Sequence, residues 1–190
     1  MMMDWLSEER AYMAIQLAWL VLILFWILMW RRVKPTKRRE SAGFRFTYIA
    51  ILLVGVVLML VRPGQRSIAY SPGLGWIAVA ICWAGILFAI WARVYLGTNW
   101  SSTVTLKEDH ELMRGGPYAL VRHPIYSGLL LGWLGMALEK GRWMALIGLL
   151  IIFLGFRLKS RTEERFMREQ FGEQYEEYRR RTAALIPFVI

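Results

Sequence analysis

The chain has 190 residues, of which 57% are hydrophobic and 20% charged, and it carries a formal net charge of +10. A mean hydropathy of +0.38 with that charge excludes an ordinary soluble domain, because the apolar and the basic residues must lie in separate segments. The single cysteine, Cys82, excludes an internal disulfide framework, and with only two histidines the composition predicts no Cys/His metal site.

Five uncharged segments predict membrane spans. The first, Ala11 to Trp30, has 20 residues, about the number with which a helix crosses a hydrocarbon core of roughly 30 Å. It lacks a preceding basic region and a small-residue cleavage site, so it predicts a retained helix rather than a signal peptide. The other four are Phe46 to Val61, Ser67 to Ala92, Pro124 to Leu138 and Trp143 to Phe156.

The last two spans are short and are separated only by residues 139–142, which predicts a tight antiparallel helical hairpin. The expected fold class is therefore all-α: a polytopic membrane protein with about five transmembrane helices, this C-terminal hairpin and a cytoplasmic amphipathic C-terminal helix. We expect residues 1–92 to form an N-terminal group of three spans, and residues 93–190 to carry the catalytic region.

Lysine and arginine are distributed unevenly between the segments that flank the spans. Of these residues, 18 lie in residues 31–45, 97–123 and 157–190. Only five lie in the segments that alternate with these along the chain, which are residues 1–10, 62–73 and 139–142. Because cytoplasmic loops hold the positive excess, this bias predicts an N-terminus outside and a C-terminus in the cytoplasm. The basic run after the first span is interpreted as an orientation signal that contacts anionic lipid, so no nucleic-acid partner is expected.

One cluster of polar residues precedes the fourth span. The run Gly115-Gly116-Pro117 predicts a turn, and Pro124 suits the first position of a helix, which places His123 at its N-cap. Backbone N–H groups at such a helix start favour an anion. The glycines that follow in this span predict either close packing against Gly148 and Gly155 of the next helix or close approach by a ligand.

A second polar cluster follows the last span. On a helical wheel Glu164 shares the apolar face with Phe171, whereas Glu163 is rotated about 100° away. Gly172 is expected to end this helix. A buried carboxylate needs a partner, so we expect Glu164 to meet a basic side chain such as Arg161 or a ligand. The alternative is that both glutamates only stabilise a helix N-terminus.

Four blocks, taken together, resemble the isoprenylcysteine carboxyl methyltransferase family of integral-membrane enzymes, which is itself similar to phospholipid N-methyltransferases. The resemblance covers roughly residues 93 to 188. The blocks are Leu96-Gly97-Thr98-Asn99-Trp100-Ser101, Gly116-Pro117-Tyr118 to Arg122-His123-Pro124-Ile125-Tyr126, Arg161-Thr162-Glu163-Glu164, and Phe171-Gly172-Glu173-Gln174-Tyr175-Glu176-Glu177-Tyr178 followed by Ile186-Pro187.

The resemblance implies S-adenosylmethionine as cofactor, bound without a Rossmann domain by the last two spans, the preceding loop and the C-terminal helix. It implies the catalytic residues Arg161, Glu164 and Glu163. Arg161 is the first candidate for the cation that places an acceptor carboxylate, with Lys159 and Arg157 as alternatives. The implied cofactor-binding residues are Gly116, Pro117, Tyr118, Arg122, His123, Pro124, Tyr126 and Glu164.

The leading hypothesis is a membrane methyltransferase that O-methylates a carboxylate of a lipidated or lipophilic acceptor, such as a prenylated one. Its expected partners are the lipid bilayer and this acceptor, with neither nucleic acid nor metal. One alternative is a phospholipid or amine N-methyltransferase, in which Glu164 or His123 would take a proton. The others are an NADPH-dependent enzyme similar to sterol reductases and a non-catalytic membrane scaffold.

Overall fold

A computed structural model describes residues 2–29, 36–61, 71–100, 105–107 and 112–187 of the chain. Seven α-helices, one short 3₁₀ helix at Gly97–Asn99 and two short strands make up this part of the molecule. The helices are α1 Met2–Met29, α2 Ala42–Leu60, α3 Pro72–Leu96, α4 Pro117–Leu120, α5 Pro124–Lys140, α6 Trp143–Phe171 and α7 Glu173–Arg181. Four predicted features lie outside the described residues: Trp30, the basic residues 31–35, the span start at Ser67, and Ser101.

Four of these helices, α1, α2, α3 and α6, are long and apolar enough to cross a bilayer. The predicted all-α membrane fold is confirmed, and the expected number of five spans is approximate, because α5 has 17 residues. The sequence did not indicate the two strands. They are β1 Thr36–Arg39 and β2 Thr105–Lys107, which pair antiparallel with Thr36 opposite Lys107.

Helix α5 packs closely against α3 through glycines. A Cβ atom on Gly128 would lie 2.5 Å from the carbonyl oxygen of Gly85, and one on Gly135 would lie 2.5 Å from that of Ala78. The two backbones are therefore in direct contact, as small residues allow between membrane helices.

The prediction that the glycines of α5 pack against Gly148 and Gly155 of α6 is wrong. Gly148 faces α2, where an added Cβ would lie 2.6 Å from the carbonyl oxygen of Gly55, and Gly155 faces Leu52 of the same helix. Small residues at helical spacing indicate a close contact but not its partner, and here each helix of the hairpin packs against a different earlier helix.

Four helix ends, those of α1 and α3 and the starts of α2 and α5, lie beside α6 at one end of the bundle. Arg93 near the end of α3 donates a hydrogen bond of 3.0 Å to the carbonyl of Met29, the last residue of α1. Antiparallel packing brings the start of α5 beside α3, where Gly128 contacts Ala89, and the start of α2 beside α6. The segments that flank the ends of α1, α3 and α6 are those with the basic excess.

Candidate functional site

The turn before α4 depends on a glycine. Gly116 has a φ of +56°, and a Cβ atom at this position would lie 2.7 Å from Cε2 of Tyr95. Any other residue would meet both a strained backbone and the tyrosine ring. The turn and the α5 start are confirmed, since Pro117 begins α4, Pro124 begins α5, and His123 occupies the N-cap of α5.

The C-terminal tail binds the loop in front of α5. The backbone N–H of Arg122 donates to the carbonyl of Ala183 at 2.8 Å, and that of His123 donates to Ala184 at 3.0 Å. The Ser127 hydroxyl donates to the carbonyl of Leu185. These bonds hold the loop, the start of α5 and the chain after α7 in one position, which explains how the second and the fourth sequence blocks reach the same place.

Glu164 is buried and forms an ion pair with Arg122. One carboxylate oxygen, Oε1, accepts hydrogen bonds from Arg122 Nη2 at 2.8 Å and from Nε at 3.0 Å. The remaining guanidinium nitrogen donates to the carbonyls of Arg179 and Thr182. The expected burial of Glu164 is confirmed, but its basic partner is Arg122 and not Arg161, whose side chain is exposed.

His123 lies between the two glutamates of α6. Its Nδ1 is 3.3 Å from Glu163 Oε2, and its Nε2 is 3.3 Å from Glu164 Oε1. Burial alone would lower the pKa of His123, but the hydrogen bonds and charges of both carboxylates outweigh burial and raise it. The imidazolium form, which donates from both nitrogens, is therefore stabilised.

Glu163 belongs to this network as much as Glu164 does. Its Oε1 accepts a hydrogen bond of 2.6 Å from the Tyr126 hydroxyl, in addition to the contact with His123. The helical wheel placed Glu163 off the apolar face of α6, and its side chain is 20% exposed against 5% for Glu164. The helical wheel correctly predicted that Glu163 is more exposed than Glu164. It did not predict the contacts of Glu163, because these come from residues outside α6.

A column of stacked rings leads from this network into the apolar part of the bundle. The rings of His123 and Tyr126 lie 5.6 Å apart with an interplanar angle of 8°, and those of Tyr126 and Phe156 lie 4.9 Å apart at 7°. Flat ring faces at this spacing are suited to contact with a planar or cationic group.

The tyrosines of the last block attach α7 to the short helix α4. The Tyr178 hydroxyl donates to the carbonyl of Tyr118, and both Tyr175 and Tyr178 are buried. Burial raises the pKa of Tyr118, Tyr175 and Tyr178, so all three stay neutral near pH 7. The Tyr178 hydroxyl acts as a hydrogen-bonding group that positions this wall of the site.

Two residues at the site, Glu40 and Tyr48, escaped the sequence-based reasoning. Glu40 and Tyr48, from the start of α2, are buried, and the Lys159 ammonium lies 5.1 Å from the Tyr48 ring centroid and 5.3 Å from that of Tyr126. The signal was a glutamate directly before the Ser41 N-cap of an apolar helix, whereas Lys159 was already an alternative cation for placing the acceptor. Arg157, the other alternative cation, is half-buried.

The chain is similar to several known proteins. The model of a family described as phospholipid methyltransferase matches residues 74–174, which include the turn, the start of α5 and both glutamates. The protein-S-isoprenylcysteine O-methyltransferase of Schizosaccharomyces pombe is 35% identical over 101 residues, which make up 52% of this chain and 43% of that protein. The chain thus matches less than half the length of this relative.

Two further proteins resemble more of the chain. A probable protein-S-isoprenylcysteine O-methyltransferase of Oryza sativa subsp. indica is 26% identical over 162 residues, or 84% of this chain and 83% of that protein. A solved structure of the eukaryotic intramembrane Ras methyltransferase ICMT matches with a TM-score of 0.56 and 22% identity, and it covers 80% of this chain and 55% of that chain. At 22% identity, this similarity shows a shared fold and nothing more.

Proposed function

Because the chain belongs to the phospholipid methyltransferase family, we propose that it is a membrane methyltransferase that uses S-adenosylmethionine and O-methylates a carboxylate of a lipophilic acceptor. The observation that carries this proposal is the buried network in which His123 bridges Glu163 and Glu164. It lies within the family match, at the end of the helical bundle where the polar and apolar parts of the molecule meet. The relatives are named for isoprenylcysteine, and we extend that acceptor class to this chain.

The residues at this position fit the proposed cofactor. Glu163 and Glu164 offer carboxylate oxygens to the hydroxyl and ammonium donors of such a molecule. The turn at Gly116 to Tyr118 and the loop residues Arg122 and Pro124 complete the proposed cofactor-binding set. When bound, S-adenosylmethionine supplies an electrophilic methyl group that a carboxylate attacks directly, so the reaction needs no general base.

The chain's own task is then to align the reactants and exclude water. His123 and Arg122 hold the carboxylate of Glu164 in place, and His123 and Tyr126 hold that of Glu163. Among the cations proposed to place the acceptor, Arg161 is exposed and Arg157 is half-buried, whereas Lys159 is 8% exposed. Burial beside the network favours Lys159, because a cation shielded from water interacts more strongly with an anion.

The site is proposed to face the cytoplasm, with the N-terminus outside. The segments with the basic excess flank the helix ends that surround His123, so the positive-inside rule assigns this end of the bundle to the cytoplasmic face. A reporter at the C-terminus that was found on the outer face would contradict the orientation. The division of the chain at residue 92 stays a prediction.

Amine methylation is the second candidate function, because the family whose model matches is described as phospholipid methyltransferase. It requires a base to remove a proton from the amine. The carboxylates of Glu163 and Glu164 raise the pKa of His123 and so favour its protonated form, which makes a glutamate the better candidate for this base. The family membership argues against the sterol-reductase-like alternative.

Binding of S-adenosylhomocysteine to the purified full chain, measured by calorimetry, tests the proposed cofactor. We expect micromolar binding that is lost in His123→Ala and in Glu164→Ala, while Glu139→Gln, which changes a buried glutamate at the other end of α5, binds as the unchanged protein does. Thermal unfolding checks that each variant is folded. Equal binding by all variants would refute the site, and no binding by the unchanged protein would favour the scaffold alternative.

A further inference from the structure

One buried carboxylate beside the site has an oxygen that accepts no hydrogen bond from the described residues. Glu40 stands between β1 and α2, and its side chain is 1% exposed. The oxygen in question is Oε2, which is itself buried. Burying a carboxylate oxygen without a donor costs free energy, so the position of Glu40 requires a donor that the described residues do not supply.

The other oxygen of Glu40 has only weak partners. The Tyr48 hydroxyl donates to Oε1 at 3.4 Å, which is long for a hydrogen bond between two oxygens. Nε of Arg45 lies 4.0 Å from the same oxygen, and this side chain is 37% exposed, so water screens the pair. By contrast, Glu164 accepts hydrogen bonds of 2.8 and 3.0 Å from Arg122. The carboxylate of Glu40 thus keeps most of its capacity to accept from a further donor.

Helix capping does not explain why Glu40 is buried. The Ser41 side chain caps α2 by accepting from the backbone N–H of Phe44 at 3.2 Å, and the Ser41 carbonyl accepts from that of Arg45. A glutamate that only interacted with the dipole of α2 could do so from the surface of the protein. The buried carboxylate is therefore better explained by a ligand than by the start of this helix.

Tyr48 connects Glu40 to the site. Its hydroxyl contacts Glu40, and its ring centroid lies 5.1 Å from the Lys159 ammonium, which is 5.3 Å from that of Tyr126. The Tyr126 hydroxyl in turn donates to Glu163. Glu40 thus approaches the network from the start of α2, which precedes the residues that the family model matches. Its place on this side separates it from the proposed cofactor-binding set and favours contact with the acceptor.

The ligand group that suits Glu40 best is an ammonium. A carboxylate only accepts hydrogen bonds, and an ammonium offers three donors. Hydrogen bonds between these two charged groups are roughly twice as strong as those of a neutral donor, and the positive charge also compensates the buried negative one. An ammonium next to the carboxylate that is methylated is the arrangement of an α-amino acid, which an S-alkylated cysteine combines with an apolar tail.

We propose that Glu40 binds the α-ammonium of the acceptor, which is then a lipophilic amino acid with a free amino group, such as an S-prenylated cysteine. Glu40 is a specificity-determining residue in this arrangement. It selects against acceptors with an acylated nitrogen, as in a peptide, because acylation removes the positive charge. The inference rests on the proposed function for the reaction that follows, but the ammonium site is measurable without methyl transfer.

The test compares three ligands that share a farnesyl tail and a carboxylate. They are S-farnesylcysteine, N-acetyl-S-farnesylcysteine, and 3-(farnesylsulfanyl)propanoic acid, which lacks the nitrogen. Calorimetry measures their binding to the purified full chain, saturated with S-adenosylhomocysteine, at about pH 6.5, where an α-amino group is protonated. We expect S-farnesylcysteine to bind about tenfold more tightly than either of the others, the size of effect that one charge-assisted hydrogen bond supplies.

Variants of Glu40 assign this preference to its carboxylate. Glu40→Gln keeps the size of the side chain but removes its charge, and it should reduce the preference to less than about twofold. The affinities for S-adenosylhomocysteine and for the two other ligands should change by less than about twofold. The matched control is Glu139→Gln, which changes a buried glutamate at the other end of α5 and should keep the full preference. Should Glu40→Gln fail to fold, Glu40→Asp carries the test, with a preference about threefold smaller because the carboxylate is withdrawn.

Several results would overturn the proposal. One is equal binding of S-farnesylcysteine and either of the other ligands by the unchanged protein. Another is an intact preference in Glu40→Gln, or a loss of S-adenosylhomocysteine binding in that variant, which would place Glu40 at the cofactor. A preference for S-farnesylcysteine without methyl transfer would support the ammonium site and refute the proposed activity. Methyl transfer without this preference would refute the ammonium site alone, and no binding of any of the three ligands would refute both.

Discussion

Arg122 donates two hydrogen bonds to a single oxygen of Glu164, from Nη2 at 2.8 Å and from Nε at 3.0 Å. The two residues are 42 positions apart, and both side chains are less than 10% exposed. The pair joins the loop before α5 to the end of α6, and through the backbone carbonyls of Arg179 and Thr182 it also joins the C-terminal tail.

Removing one member of this pair should destabilise the protein strongly. Arg122→Met leaves Glu164 buried without its main cation, which costs about 3–5 kcal/mol in comparable buried pairs. Unfolding in mixed micelles of mild and denaturing detergent measures the loss. The control is Arg180→Met, which removes an exposed partner of Glu173 at 2.7 Å and should cost about 0–1 kcal/mol. Equal losses in the two variants would contradict the importance of burial.

Two glycines of α3 should respond oppositely to alanine. In Gly85→Ala the new Cβ would lie 2.5 Å from the carbonyl oxygen of Gly128, so α3 and α5 must separate, and we expect a loss of about 1–3 kcal/mol. Gly73 has no heavy atom within 4 Å of the added Cβ, so Gly73→Ala should be neutral or slightly stabilising. Thermal unfolding in detergent compares them. A stable Gly85→Ala protein would contradict the close packing of these helices.

The stabilising effect of His123 should decrease as the pH rises. Its pKa is higher in the folded chain than the ordinary value of 6.5, because the hydrogen bonds and charges of Glu163 and Glu164 outweigh the burial that opposes them. The folded state thus binds its proton more tightly, and this contribution is complete below about pH 6.5 and is lost as the pH rises through the raised pKa.

The measurement is the difference in unfolding free energy between the unchanged protein and His123→Asn from pH 5.5 to pH 9.5. This difference should be largest at the acidic end and should shrink with increasing pH. The variant His110→Asn changes the other histidine of the chain and serves as a control for general effects of pH. A difference that grows with pH would show that His123 is held neutral.

Local rules of sequence predicted the parts of the site that depend on neighbouring residues. Pro124 and Gly116 determine the start of α5 and the turn before α4 by their own backbone preferences, so both features were predictable. Glu164 was also predicted to be buried, because it lies on the same face of its helix as the apolar residues.

Contacts between distant segments were not predictable in the same way. The pairing of Arg122 with Glu164 requires the tail to fold back over the loop, and Lys159 meets Tyr48 only because α2 packs antiparallel to α6. The glycines of α5 predicted a close neighbour but not that this neighbour is α3. A pattern within one helix describes the face that is buried, whereas the partner depends on the whole bundle.

Methyl transfer by the purified full chain in lipid nanodiscs tests the central claim most directly. The protein is incubated with methyl-labelled S-adenosylmethionine and N-acetyl-S-farnesylcysteine, and the label is followed in the lipid fraction before and after treatment with base. We predict a labelled product that base releases as methanol, with at least about a hundredfold loss in Glu164→Ala and no loss in Glu139→Gln. Label that base does not release, or transfer at the same rate by Glu164→Ala, would contradict carboxylate methylation at this site.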